Sequence, residues 1–151
     1  MRPARIGAVI GILGGLIAAP SVVAAPATES TITIEVEFAG PESFTATGGA
    51  VCPSGTSSTE GSASFGGSKN RGRFTFHVVK TLTCDGDAGA FKLLVDVAQN
   101  PDGSGTKGGF AVGEGTGSMA GIHGGGEVVG TNHPDGTGIT DVYTGRLTIA
   151  P

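Results

Sequence analysis

The chain of 151 residues contains no Trp, one Tyr, two Cys and two Met, and only 15% of its residues are charged. Sugar-binding surfaces usually rest on exposed aromatic platforms, and this composition offers little to build them from. Basic residues are in the minority, 9 Lys and Arg against 13 Asp and Glu, giving a net charge of -4. Nucleic acid, whose recognition needs a positive footprint, is therefore not an expected partner. So few charges also exclude a strongly acidic or basic disordered tail. No G-x-S-x-G occurs, so there is no nucleophile elbow, and no Walker lysine follows a Gly-rich loop. No cofactor is implied.

What the chain has in excess is glycine. The 29 Gly are far above the usual share of about 7%, but they follow no G-X-Y period, which excludes collagen. The length fits one domain. At the N-terminus, Arg2 and Arg5 precede an uncharged run from Ile6 to Ala19, a break at Pro20 and Ser21, and the A-x-A pattern Ala25-Pro26-Ala27. These are the parts of a signal peptide. Cleavage is expected after Ala27, because a cut after Ala25 would place Pro26 just past the scissile bond. The apolar run, about 14 residues, is shorter than the roughly 20 that span a bilayer, so no stable membrane anchor is expected. Residues 1–27 are thus read as a leader and residues 28–151 as a secreted domain.

Without the leader, 124 residues remain, with 7 Lys and Arg against 13 Asp and Glu, a net charge of -6. Leu, Ile, Val and Phe number 26 of them, enough for one small core and no more. Both cysteines, Cys52 and Cys84, lie in this part, and export would take them into an oxidising compartment where a disulfide is the expected state. Closing a loop of about 33 residues contributes roughly 3 to 4 kcal/mol in the chain-entropy treatment.

Hydrophobic periodicity predicts strands and no helix. Ile32, Ile34, Val36 and Phe38 alternate with Thr and Glu, the period of a half-buried antiparallel strand. Gly40-Pro41 turns the chain into a weaker strand over 43–47. Residues 53–72, rich in Ser, Gly and Thr, are expected to form a loop with a short strand near Ser62 to Phe65. Phe74 to Cys84 is a long strand with Phe74, Phe76, Val78 and Leu82 on one face. After the turn Asp85-Gly86-Asp87-Ala88-Gly89, a return strand carries Phe91, Leu93, Val95 and Val97. Further strands are expected at 107–115, 127–131 and 139–149. The turns Pro101-Asp102-Gly103-Ser104-Gly105 and Pro134-Asp135-Gly136-Thr137-Gly138 echo one another and point to two hairpins built alike. This pattern predicts an all-β domain, a small antiparallel barrel of about eight strands, with a β-sandwich as the alternative.

One segment is distinctive: Gly115-Thr116-Gly117, then Met119-Ala120-Gly121, then Gly124 and Gly126 at the start of a Gly-rich strand. The spacing is not that of a dinucleotide fingerprint. It resembles the allene oxide cyclase and dirigent-like barrel superfamily, with Tyr143-Thr144-Gly145-Arg146-Leu147 as a closing strand. The resemblance implies an eight-stranded antiparallel barrel with a central, mostly apolar cavity, which some members use for cyclisation or to steer a coupling reaction. Met119 stands where the family usually has an aromatic, and no residue here matches the cyclase's acidic active residue. The fold is what the resemblance implies, without the chemistry.

No other constellation carries chemistry. His77 lies mid-strand on the parity opposite the apolar stripe, while His123 and His133 fall in Gly-rich and Pro-containing turns. No H-x-H or helical pair joins them into a metal site. Asp85 and Asp87 lack the further acidic ligand of a calcium loop, and Glu35 and Glu37 read as solvated strand charges. The expected role is therefore a secreted, non-enzymatic module with a cavity for a small apolar molecule. The alternative is a cyclase, isomerase or dirigent-like enzyme. A pocket lined by two or more convergent polar groups favours the enzyme, and a core filled by Phe and Val favours the module.

Overall fold

The computed structural model describes residues 26–65 and 73–150, so residues 1–25 of the leader expected over residues 1–27 lie outside the described residues. Eight strands follow one another: β1 (Thr28–Glu37), β2 (Glu42–Thr47), β3 (Ser54–Phe65), β4 (Phe74–Cys84), β5 (Gly89–Gln99), β6 (Gly105–Gly117), β7 (Ile122–Asn132) and β8 (Gly138–Ile149). Each pairs antiparallel with the next, and β8 returns to β1 in register from Thr28 opposite Leu147 to Glu37 opposite Gly138. The result is a closed up-and-down barrel, and closure excludes the sandwich. Closure also gives every strand a partner on both sides.

The alternation that predicted strands also fills the barrel. Ile32, Ile34, Phe44, Leu82, Phe91, Leu93, Val128, Tyr143 and Leu147 are all buried inside it. Phe44 meets Phe91 edge-on at 6.4 Å between centroids, and Phe110 meets Tyr143 in the same way at 5.4 Å. Such edge-to-face pairs are the favoured aromatic geometry.

Two expectations are corrected. The Ser/Thr-rich segment is not mostly loop: β3 spans Ser54–Phe65 and pairs with β4 from Gly55 opposite Cys84 to Phe65 opposite Phe74. Ser and Thr suit a strand with a well-specified partner, and the ladder to β4 supplies what the composition lacks. Likewise β7 begins at Ile122, not at 127, so His123 lies in a strand rather than a turn. The run Gly124-Gly125-Gly126 is paired within β7, where the neighbouring backbone leaves no room for side chains. A Cβ on Gly126 would stand 2.1 Å from the carbonyl oxygen of Thr144.

At one end, the base, Cys52 and Cys84 form a disulfide with Cα atoms 5.9 Å apart, inside the usual range of about 4.4–6.8 Å. Both residues are buried. The bond sits beside the thinnest part of the ladder, where β2 makes only five residue pairs with β1 and four with β3. It ties the chain between β2 and β3 to the end of β4. Replacing both cysteines by serine should therefore lower the unfolding free energy by about 3–4 kcal/mol in urea denaturation. An unchanged midpoint would show that the ladder alone holds this corner.

Candidate binding cavity

Among the described residues the opposite end of the barrel is open. Its rim includes the turns after β5 and β7, which are two copies of one device. The Asp102 carboxylate accepts hydrogen bonds from the Ser104 hydroxyl (2.7 Å) and backbone N–H (3.0 Å). Asp135 does the same with the Thr137 N–H (3.1 Å) and hydroxyl (2.8 Å). These bonds favour the ionised form and hold both carboxyls below the ordinary aspartate value. The Asn132 side-chain amide donates to the Gly103 carbonyl at 2.8 Å and joins the two turns.

Inside the rim lies a cavity of about 330 Å³. That is small-molecule size, since such sites run from about 300 to 1,000 Å³. Its walls are apolar, from Val36, Phe76, Val78, Val97 and Ile139, with Phe38 at the lip. Phe38 is 68% exposed, unusual for so large an apolar side chain that also borders a cavity. Phe74, also exposed, stacks on Phe76 at 6.3 Å between centroids.

Charge meets at the cavity's inner end. Lys80 is 4% exposed and Asp141 8%, and neither could stand alone at that depth. They meet because of barrel geometry. Both occupy inward positions, and in an eight-stranded ring β4 and β8 lie on opposite sides. The Lys80 ammonium crosses the lumen to within 3.6 Å of Asp141 and 3.4 Å of Glu42 on β2, and donates to the Thr59 hydroxyl at 2.9 Å. Glu42 accepts further hydrogen bonds from Ser57 (2.5 Å) and Thr59 (2.8 Å). The buried Tyr143 hydroxyl donates to Asp141 at 3.3 Å.

The two carboxyls are pushed in opposite directions. Burial acts to raise Glu42, but the hydrogen bonds from Ser57 and Thr59 and the charge of Lys80 outweigh it, so Glu42 lies below its ordinary value. Burial dominates at Asp141 and raises it, despite the attraction of Lys80 and the Tyr143 hydrogen bond. Burial likewise pushes the Tyr143 phenol up, with the Asp141 charge adding to the effect. Glu42 is thus the settled partner of Lys80, and Asp141 is the group left with the weaker support.

The residues singled out in the sequence lie elsewhere. The disulfide is at the base. So is the Gly115–Gly126 segment, where Gly117 and Gly121 take left-handed conformations and bring the buried Met119 under the barrel. The three histidines do not meet. His77 pairs with Asp96 across β4 and β5, His123 faces the Gly121 carbonyl, and His133 contacts Thr140 and Glu35 on the outer wall. Asp85 accepts a hydrogen bond from Ser54. Glu42, Lys80 and Asp141 were missed, yet each left a signal: a charged residue at the apolar parity of its strand, between Val78 and Leu82 in the case of Lys80.

No family model, curated protein or solved structure matches the chain.

Breaking a buried ion pair by removing one partner leaves uncompensated charge, at a cost of about 3–5 kcal/mol. Lys80→Met should lower the unfolding free energy by about that much at neutral pH. Adding Glu42→Gln and Asp141→Asn to the same chain should recover most of the loss. Equal stability of wild type and Lys80→Met in urea would mean that the three charges are solvated rather than enclosed.

Proposed function

We propose that the protein binds a small, largely apolar molecule inside the barrel, as a secreted, non-enzymatic module of the allene oxide cyclase and dirigent-like type. The observation that carries this reading is the cavity itself. Tight packing of Phe, Leu and Val fills the base half of the barrel and stops short of the rim half, where apolar walls surround an accessible space. Proteins leave interior space unfilled at a cost in stability, so an open apolar lumen argues for an occupant. Export rests on the N-terminal leader pattern, and the Cys52–Cys84 disulfide is consistent with an oxidising compartment.

The second reading, a cyclase, isomerase or dirigent-like enzyme, is favoured by one specific feature: three polar groups, Glu42, Lys80 and Asp141, converge on the cavity. A carboxyl with a raised pKa is suited to hold a proton for donation. Both readings require that a ligand enter the lumen, and they differ in whether it leaves changed.

Native mass spectrometry of the protein purified from culture medium addresses both. A binding module should carry added mass that dissociates intact, and the recovered molecule should rebind unaltered. Conversion of the recovered molecule on re-incubation would favour the enzyme. A bare chain mass, together with no uptake of any apolar compound offered in excess, would contradict the binding reading.

A further inference from the structure

One row of residues brings two side-chain oxygens together at the cavity wall. Thr106, Gly130 and Asp141 are register partners in one row across β6, β7 and β8, all at inward positions. Glycine in the middle of the row leaves bare backbone between two oxygen-bearing side chains. A Cβ at position 130 would stand 2.5 Å from Asp141 Oδ1 and 2.5 Å from Thr106 Oγ1, so both oxygens crowd over the same gap. Among the described residues neither of these two oxygens makes a hydrogen bond, and at Asp141 both Tyr143 and Lys80 approach the other carboxylate oxygen, Oδ2. Both residues line the cavity.

Charge points the same way. Among the described residues the inner end holds two carboxyl groups and one ammonium, and Glu42 already takes Lys80 together with two hydroxyls. Within that set, neutralising both carboxylates takes one more positive charge. We propose that the ligand supplies it: an apolar amine whose ammonium docks over Gly130, donating hydrogen bonds to Asp141 and Thr106 while its hydrocarbon part lies along the cavity walls. An ammonium has three donors and no acceptor capacity, which suits a pair of unoccupied oxygens. A ligand carboxylate would instead bring a third negative charge beside Glu42 and Asp141. Phe76 on the wall and Phe38 at the lip add faces that tolerate a passing cation.

This inference rests on the cavity-binding reading above, and a matched series separates the two. Octylamine, octanol and octanoate share one hydrocarbon tail and differ only in the head. Titration calorimetry of the purified chain at neutral pH should show octylamine binding about tenfold or more tighter than octanol, with octanoate weakest. Asp141→Asn should bring octylamine down to the level of octanol while octanol itself changes by less than about threefold. Octanol or octanoate equal to or better than octylamine, or an amine preference that survives Asp141→Asn, would overturn the proposal and leave cavity binding intact. Failure of all three probes to bind would remove both. The wild-type comparison is decisive by itself if the variant does not fold.

Discussion

Closure of the sheet by the β1–β8 ladder fixes which side chains face inward on all eight strands at once. In an open sheet Lys80 and Asp141, four strands apart, would be remote from one another. In the ring they are opposite, and side-chain reach does the rest. The cavity is a second consequence of the same closure. Eight strands enclose an interior just wide enough for side chains to fill or for one small ligand to occupy. Here aromatics and Leu pack the base and shorter side chains leave space in the rim half.

The two ends of the barrel are built differently. The base holds the disulfide, the left-handed glycines at 117 and 121, and the plug of Met119, all features that fix backbone. Rigid turns also edge the mouth, but the interior behind them is polar at one point and otherwise unpacked. A buried cluster with more negative than positive groups does little for stability, because desolvation offsets most of the attraction. Its retention beside an open lumen is easier to understand as recognition than as glue.

Much of the fold was legible because period-two alternation survives in the strongest strands, β1, β4 and β5, and because Pro-Asp-Gly turns mark where the chain reverses. What was not legible had physical causes. β3 has almost no apolar residue, so its strand state comes from pairing with β4 rather than from its own pattern. In β7, Gly124 and Gly126 stand where the backbone of β8 comes too close for a side chain, and Gly125 where that of β6 does. In β6 a bulge opposite Phe91 and Leu93 breaks the alternation, so no single parity describes that strand. The cavity groups were hidden differently. Lys80, Glu42 and Asp141 stand far apart in sequence and each looks like an interruption of an apolar face. Only the register of a closed barrel turns three interruptions into one cluster, while the Gly-Thr-Gly segment, the most conspicuous in the sequence, serves the base.

Closure encloses Lys80, Glu42 and Asp141 together at the inner end of the cavity. A carbon-13 NMR titration of the carboxyl groups tests it most directly, since enclosure must move the two carboxyls apart. Asp141 should titrate above the ordinary aspartate value of 3.8, and Glu42 below the ordinary glutamate value of 4.5. Both groups titrating at their ordinary values would mean that water reaches them freely, and would contradict the claim.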